Sequence, residues 1–174
     1  MLIELKRCQV RSFTLGDAES LALHADNRKV WINLRDTFPH PYSPSDAQAF
    51  IEESLTEQPQ TSFAIAVGAQ AVGGIGLRLQ SDVERVSAEI GYWLGETFWG
   101  RGITTEALRA TTDYAIEEYH LTRVYAVPFA WNNASLRVLE KAGYTLEGRM
   151  RRSAVKNGQV VDQLLYSYLA PHDA

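Results

Sequence analysis

A short segment rich in glycine, Trp99-Gly100-Arg101-Gly102-Ile103-Thr104-Thr105, has residue types and spacing that suit anion binding. Its two glycines lack side chains and permit positive φ, so backbone amides can turn inward around an anion. A helix predicted over residues 102–119 adds the positive end of its dipole and unpaired N–H groups. The arginine can contribute a charged donor and the threonines a hydroxyl. A diphosphate is the ligand that this segment predicts.

The segment is not specific by itself, because a G-x-G turn before a helix is common as a plain turn. It lacks the lysine of the P-loop, G-x-x-x-x-G-K-[ST], and the six-residue spacing of the dinucleotide fingerprint. A nucleotide-binding fold is therefore not indicated. The chain also has no G-x-S-x-G elbow, which would indicate a serine hydrolase.

A second segment begins with Trp131-Asn132-Asn133-Ala134-Ser135 and ends with Gly143-Tyr144. Asn132 is placed to cap a helix over residues 134–142, and Ser135 lies one turn along on nearly the same face. Gly143 is expected to end that helix. Taken alone, this segment predicts no more than a capped helix with a glycine stop.

Two predicted strands determine where both segments lie. Residues 88–94 form a strand before the glycine-rich segment, and residues 123–128 form a strand before Asn132. The long helix between them completes a βαβ unit, whose strands are parallel and whose crossover is right-handed. Ligands of open α/β sheets bind beyond the carboxyl ends of the strands, and both segments fall at those ends.

The remaining elements follow from hydrophobic periodicity and turn residues. Further strands are predicted at residues 5–13, 63–67, 72–79, 144–150 and 160–169, with turns at Gly68-Ala69-Gln70 and Asn157-Gly158. One helix is predicted to begin at Asp17, and another to run from Ser43 or Ser45 to about Thr56. Residues 31–42, between these helices, form an aromatic loop that contains two prolines.

Composition limits the classes of function. The chain has 174 residues, of which 45% are hydrophobic and 22% charged, and this suits one folded domain over residues 1–174. Its formal net charge of -4 argues against a surface that coats nucleic acid. The most apolar stretch, residues 63–77, is interrupted by glycines and is shorter than the ~20 residues of a membrane helix. We expect neither nucleic acid nor a membrane as a partner.

The single cysteine and the scattered histidines bear on location and metal binding. Cys8 cannot form an intrachain disulfide, and a reducing cytoplasm fits best. We expect Cys8 to be a buried strand residue, with a catalytic role as the alternative. His24, His120 and His172 lack metal-ligand spacing, so no metal is expected. The start of the chain lacks the apolar run of a signal peptide.

Three segments of the chain, in their order, resemble the GNAT acetyltransferases: Ala88-Glu89-Ile90-Gly91-Tyr92-Trp93-Leu94, the glycine-rich segment with its helix, and residues 132–144. The branch that acetylates the N-terminal alanine or serine of ribosomal proteins is most similar. Arg11-Ser12-Phe13 and Phe38-Pro39-His40-Pro41-Tyr42 match its early segments. The resemblance implies a mixed α/β GNAT fold: a central, mostly antiparallel sheet of about seven strands, with one splayed parallel pair and about four helices.

The resemblance also implies acetyl-CoA as the donor substrate. Loop amides would grip the CoA diphosphate, the strand end would offer backbone groups to the pantetheine arm and acetyl carbonyl, and the asparagine would hydrogen-bond the pantetheine. The implied cofactor-binding residues are Arg101, Gly102, Ile103, Thr104, Thr105, Tyr92, Trp93, Leu94, Asn132 and Ser135. Gly91 would permit a bulge where the two parallel strands splay.

The sequence departs from the family pattern in its loop and at one catalytic position. Trp99 and Thr104 stand where the family's loop has Gln or Arg and Gly or Ala. Leu139 stands where many members have a tyrosine that protonates the departing thiolate. Ser135 is the nearest polar substitute for that acid, or else only a pantetheine ligand or helix cap. Glu89 is the candidate base, acting directly or through water, with a salt-bridged strand residue as the alternative.

The resemblance implies an amine acceptor, which the aromatic loop would bind. The candidate substrate-binding residues, each of which could instead anchor the loop to the core, are Trp31, Asn33, Phe38, His40 and Tyr42. We expect the N-terminal α-amine of a protein or peptide, because its pKa of ~7.7–8.0 requires less help than the ~10.4 of lysine. A small amine (an antibiotic, polyamine or amino-acid derivative) and a CoA-binding module without catalysis are the alternatives. The resemblance also allows a homodimer.

A basic cluster, Arg151, Arg152 and Lys156, follows the first strand of the predicted closing pair. We expect it to be a solvated strand face. An acidic substrate or the 3′-phosphate of CoA is the alternative partner for these cations.

Overall fold

This computed structural model describes residues 1–171, which contain both strands and helices. The described strands are β1 Leu2–Glu4, β2 Gln9–Arg11, β3 Ser62–Val67, β4 Gln70–Leu79, β5 Ser87–Leu94, β6 Arg123–Ala126, β7 Thr145–Lys156 and β8 Gln159–Leu169. The described α-helices are α1 Ala18–Ala25, α2 Arg28–Trp31, α3 Pro44–Thr56, α4 Ile103–Tyr119 and α5 Asn133–Ala142. Short 3₁₀ helices lie at Leu15–Asp17, Asp82–Glu84 and Glu96–Phe98.

The strands form one mixed sheet, hydrogen-bonded in the order β1-β2-β3-β4-β5-β6-β8-β7. β5 and β6 are parallel, with Ser87 opposite Arg123 and Glu89 opposite Tyr125. The pairs β1–β2, β2–β3, β3–β4, β6–β8 and β7–β8 are antiparallel. The parallel pair follows from the long crossover through α4, as predicted, because parallel neighbours cannot be joined by a tight turn. The mixed, mostly antiparallel architecture is therefore confirmed.

The chain divides into two compact units. The first unit consists of residues 1–76 and 92–107, and the second of residues 77–91 and those from 108 onward. β4, β5 and α4 each contribute residues to both units. The single domain over residues 1–174 stays a prediction, and its end, from His172, lies outside the described residues.

The core of the first unit is formed by helices α1 and α3 and the strands beside them. Leu21 and Ala25 of α1, and Ala47 and Ile51 of α3, are buried in one cluster with Phe13. Burying each large side chain of this kind contributes about 1.5–3 kcal/mol. Helix α3 begins where the sequence predicts, because Ser43 and Asp46 form a reciprocal capping box.

The strand predicted over residues 5–13 is wrong, because this segment forms two strands instead of one. β1 and β2 pair antiparallel around a turn in which the Leu5 N–H donates to the Cys8 carbonyl at 2.9 Å. Cys8 is buried, as predicted, but it lies in the connection and not in a strand. The split accounts for eight described strands where about seven were expected.

Asp17 precedes helix α1, as predicted, but its carboxylate does not cap that helix. The carboxylate instead accepts two hydrogen bonds of 2.7 Å from the Arg11 guanidinium. It also accepts a 2.8 Å hydrogen bond from the Thr14 N–H. Asp17 is only 3% exposed, so this is a buried, bidentate ion pair.

The second unit contains the long β7–β8 hairpin and helix α5. Asn157 and Gly158 join the two strands with φ of +50° and +75°, the positive values that a type I′ turn requires. Strand β7 continues past Met150, where the prediction ended it, to Lys156. Lys156 is 1% exposed, so the prediction of a solvated basic face is wrong for this residue, although Arg151 and Arg152 are exposed.

Candidate active site

The glycine-rich segment adopts the backbone geometry that anion binding requires. Gly100 and Gly102 have φ of +75° and +77°, a region that favours glycine. Helix α4 begins at Ile103, and its first turn leaves N–H groups without intrahelical partners. Arg101 and Gly102 are exposed, and Thr104 and Thr105 are partly buried. The loop is therefore open to solvent on the side of its exposed residues.

Trp99 fastens this loop to the end of β5. Its indole Nε1–H donates to the Leu94 carbonyl at 2.7 Å. Trp99, which stands where the family's loop has Gln or Arg, therefore has a structural role: it links the loop to the strand end. Nearby, the Arg101 guanidinium lies 5.3 Å from the centre of the Phe98 ring, a cation–π contact that holds the charge beside the loop.

Arg7 and Glu106 also belong to this loop region, and sequence reasoning missed both. The Glu106 carboxylate accepts a 3.1 Å hydrogen bond from the Arg7 N–H and another from the Arg7 guanidinium. Glu106 lies in the first turn of α4. The two residues are 99 positions apart, so no local pattern could have linked them.

The end of β5 is packed tightly against two glycines of β4. A methyl group on Gly73 would lie 2.3 Å from the Trp93 carbonyl oxygen and 3.0 Å from the Leu94 Cα. A methyl group on Gly74 would lie 2.9 Å from Nε1 of the Trp93 indole. The end of β5 therefore lies so close to β4 that only glycine fits at positions 73 and 74 without a shift of neighbouring atoms. By contrast, Gly91 has open space around its Cα, and nothing there requires glycine.

The aromatic loop contributes one ring cluster that reaches the strand end. The Phe38 ring lies 4.7 Å from the Tyr42 ring and 5.5 Å from the Trp93 indole, measured between centroids. Tyr42 is 6% exposed, and burial, reinforced by the Asp46 charge, raises its pKa to about 12. Tyr42 is thus an anchor of the loop and remains protonated at neutral pH.

A second ring cluster in the same loop contains Trp31 and His40. The two rings stack with centroids 5.4 Å apart. Asp26 lies behind the imidazole, with Oδ1 3.6 Å from His40 Nδ1, and it accepts a 3.0 Å hydrogen bond from the Tyr42 N–H. Asn33 donates to the Lys29 carbonyl at 3.0 Å, so part of its amide serves the short helix α2 that the sequence did not predict.

In the second unit, Asn132 and Ser135 meet at the start of α5. The Asn132 Oδ1 accepts the Ser135 N–H at 3.2 Å, which confirms the predicted cap. Gly143 ends the helix with φ of +96°, also as predicted. Leu139, at the position of the family's tyrosine, is fully buried in the core. Its side chain therefore supports the helix and has no polar role.

Glu89 lies on β5 in the second unit, opposite Tyr125 of β6. Its Oε2 is 3.8 Å from NH1 of Arg78. The Glu89 side chain is 17% exposed, so the carboxylate is largely enclosed but engaged by a cation. Both roles predicted for Glu89, base and salt-bridged strand residue, are compatible with this position.

The described residues lack both a membrane-spanning helix and a metal-binding cluster. No helix within residues 1–171 is long and apolar enough to cross a bilayer. The same residues contain no group of three or more His, Cys, Asp or Glu side chains arranged to hold a metal ion.

Comparison with known proteins places these features in a family. Residues 7–145 match the family described as the acetyltransferase (GNAT) domain. YjcK of Bacillus subtilis, named a probable N-acetyltransferase, is 31% identical over 99% of each chain. The structure of MccE, the microcin C7 self-immunity acetyltransferase, in complex with acetyl-CoA and AMP is 26% identical. It matches with a TM-score of 0.83 over 95% of this chain and 94% of that chain.

An acetyltransferase named for a ribosomal protein shares the fold at lower sequence identity. RimL, the ribosomal L7/L12 α-N-protein acetyltransferase solved with coenzyme A, has a TM-score of 0.84 over 97% of this chain and 98% of that chain, at 21% identity. The family match covers the strand end, the glycine-rich loop and the asparagine-capped helix. The chain therefore belongs to the GNAT acetyltransferase family and is an acyltransferase that uses acetyl-CoA as its donor.

Proposed function

We propose that this enzyme transfers the acetyl group to the N-terminal α-amine of a protein or peptide, by direct attack within a ternary complex. The donor, acetyl-CoA, supplies an already activated thioester. The protein must therefore align the amine, accept its proton and stabilise the charge that develops on the carbonyl oxygen.

The residues proposed to hold the donor fit it in chemistry. In the first unit, the open loop of residues 101–105 presents amides and a helix N-terminus, which suit a diphosphate. Backbone groups of residues 92–94 would hold the pantetheine arm, and an N–H near Trp93 or Leu94 would stabilise the carbonyl oxygen. In the second unit, the Asn132 amide would hydrogen-bond the pantetheine, because its nitrogen remains a donor while its oxygen caps α5.

One observation carries the choice of an α-amine: Glu89, the proposed base, is engaged by Arg78 at 3.8 Å. Because this carboxylate is already engaged by a cation, it is best matched to an acceptor amine that is partly neutral before it attacks. At pH 7 about a tenth to a sixth of an α-amine is neutral, against about four in ten thousand for a lysine side chain. The amine that needs the least deprotonation is therefore the best match.

The first unit supports a peptide acceptor through its aromatic loop. Phe38 and Tyr42 pack with the Trp93 indole, at the strand end proposed to hold the acetyl group. Trp31, Asn33 and His40 lie in the same loop and would contact the first residues of the acceptor chain. RimL, an α-N-protein acetyltransferase, shares this fold.

A small-molecule amine is the second candidate acceptor. It is favoured by MccE, a self-immunity acetyltransferase that matches nearly the whole chain. An aromatic cluster such as Trp31 with His40 would also stack on a planar ligand. The homodimer and the cytoplasmic location expected from the sequence stay predictions.

Acceptor panels with acetyl-CoA distinguish these functions. Peptides with a free N-terminal alanine or serine are expected to be acetylated at the α-amine, with kcat/KM at least ~10²-fold above lysine peptides whose N-terminus is blocked. Mass spectrometry locates the acetyl group. Preference for polyamines, antibiotics or amino-acid derivatives would contradict the proposal. CoA binding without transfer to any acceptor would identify a non-catalytic module.

Ser135→Ala is expected to lower kcat by about 10- to 100-fold, the value of a hydrogen bond to a charged group, through loss of thiolate stabilisation. The alanine retains the backbone N–H that Asn132 caps, so α5 should stay intact. The affinity for CoA, measured by calorimetry, should change by less than about threefold.

Ser153→Ala, which removes an exposed hydroxyl bonded to the Met150 carbonyl, is the matched control. An unchanged kcat in Ser135→Ala, under conditions where chemistry limits the rate, would remove Ser135 from the mechanism. Equal losses in kcat and CoA affinity would assign it to pantetheine binding instead.

A further inference from the structure

We infer that Arg7, which lies outside the glycine-rich loop in sequence, is a ligand of the CoA diphosphate and that Glu106 positions it. The inference rests on the loop as the diphosphate site and is independent of the identity of the acceptor. It adds a second side-chain cation, from a distant part of the sequence, to a site proposed from loop amides, Arg101 and the threonine hydroxyls.

Arg7 lies directly beside the turn that orients those amides. A methyl group on Gly102 would lie 3.6 Å from the Arg7 Nε and 3.8 Å from its Cζ. Gly102 is the residue whose φ of +77° turns the chain into α4. The guanidinium therefore lies beside Gly102, on the side where a side chain would project, at the end of the helix where an anion is favoured.

Two further contacts fix the position of Arg7. The Glu106 carboxylate binds its backbone N–H and its guanidinium NH1 at the same time. The neighbouring Cys8 Sγ lies 3.9 Å from the Ile103 carbonyl oxygen, as a weak S–H donor. The dipeptide Arg7–Cys8 is thus attached to the first turn of α4 at both of its residues.

The guanidinium retains donors for a ligand. An arginine side chain has five N–H donors in a planar fork. Within residues 1–171, the guanidinium hydrogen bonds of Arg7 involve NH1 and Glu106 alone. The Arg7 side chain is 45% exposed, so Nε and NH2 can meet phosphate oxygens from solvent. Such a fork matches phosphate geometry.

The pair also resolves an electrostatic conflict at the loop. Glu106 places a carboxylate in the first turn of α4, where it would oppose the approach of a diphosphate. Arg7 neutralises that carboxylate, and its remaining N–H groups can donate to the ligand. The chain as a whole carries a formal charge of -4, so a fixed local cation matters more here than it would in a basic protein.

Binding of CoA by Arg7→Ala tests the inference. The Kd for CoA, measured by calorimetry, should rise at least about tenfold, because a charge-assisted contact is lost and Glu106 is left uncompensated. The loss should be the same for 3′-dephospho-CoA, which retains the diphosphate. S-acetylpantetheine, a donor without phosphates, should be used with kcat/KM unchanged within about twofold.

Three controls define the result. Arg85→Ala removes an exposed arginine of equal charge and should bind CoA as the wild type does. Arg7→Lys should recover part of the affinity, and Glu106→Gln, which keeps an oxygen for Arg7, should bind CoA at least as tightly as the wild type. Thermal melting verifies that each variant is folded.

Each contrary result overturns the inference. Unchanged CoA affinity in Arg7→Ala, or an equal loss with S-acetylpantetheine, would make Arg7 structural only. A loss confined to CoA and absent for 3′-dephospho-CoA would assign Arg7 to the 3′-phosphate. A loss in Glu106→Gln as large as that in Arg7→Ala would make the ion pair, and not the cation, the relevant feature. Wild-type protein that binds no CoA would instead refute the donor site itself.

Discussion

Gly73→Ala is expected to lower acetyl transfer by at least ~10²-fold, the effect of removing a donor from an oxyanion site. The added methyl group would lie 2.3 Å from the Trp93 carbonyl oxygen, a backbone atom that cannot rotate away. The strand end must shift, and with it the N–H groups of Trp93 and Leu94 proposed to bind the acetyl oxygen. Overpacking of this kind also costs about 1–3 kcal/mol of stability.

Steady-state kinetics and urea denaturation separate the two effects of Gly73→Ala. Gly91→Ala is the matched control, because a methyl group there meets nothing within 4 Å and the residue lies on the same strand as Trp93. Gly91→Ala should retain activity and stability. If Gly73→Ala were folded and fully active, the strand end would not be the acetyl site.

The second large effect is a loss of stability on removing the buried ion pair between Asp17 and Arg11 in the first unit. Asp17→Asn should destabilise the protein by about 3 kcal/mol at pH 7, because the amide cannot accept the bidentate Arg11 guanidinium and leaves that cation uncompensated. Urea denaturation measures the change. Glu19→Gln, an equal change of charge at an exposed position of α1, should cost less than ~1 kcal/mol.

The effect of Asp17→Asn should depend on pH in one direction. Burial alone would raise the pKa of Asp17, but the hydrogen bonds from Arg11 and Thr14 outweigh it and the pKa is lowered from 3.8. The stabilisation is therefore complete above the unfolded value of 3.8 and is lost as the pH falls through the native value. The gap between wild type and Asp17→Asn should narrow below about pH 4. A gap that widened on acidification would show that the carboxylate is not the stabilising form.

Local signals predicted much of this fold, because the features concerned are local in sequence. Ser43 with Asp46, Asn132 with Ser135, and Asn157 with Gly158 are pairs separated by three residues or fewer. Each pair determines a helix start or a turn through its own hydrogen bonds or φ values. Capping and turn chemistry of this kind can be read from a few adjacent residues.

The wrong predictions concern residues whose structure depends on tertiary contacts, which can override the role that the local sequence suggests. Asp17 has the type and place of a helix cap, but the Arg11 guanidinium offers its carboxylate two charge-assisted bonds. Lys156 has the type of a surface residue and is nevertheless buried. Residues 5–13 have uniform strand character, and only the return of the chain at Leu5 and Cys8 divides them.

The residues of the candidate site also fall into two groups: those that local sequence motifs indicate and those whose contacts form only on folding. The glycine-rich loop and the capped helix are contiguous motifs, so sequence alone could propose their roles. Gly73 required knowledge of which strand lies beside Trp93, although two adjacent glycines within a strand are a signal of close backbone approach. Arg7 could not be found, since its contact with Glu106 exists only after folding brings the two together.

The placement of Cys8 has a practical consequence. Burial, assisted by the charge of Glu106, raises the pKa of its thiol to about 11, so about one molecule in ten thousand carries a thiolate at neutral pH. The thiolate is the reactive species, so the native protein should resist both alkylation and exchange with an added small-molecule disulfide. A cysteine introduced at an exposed position such as Leu23 would therefore be the one reactive thiol, available for a fluorophore or spin label without removal of the native residue.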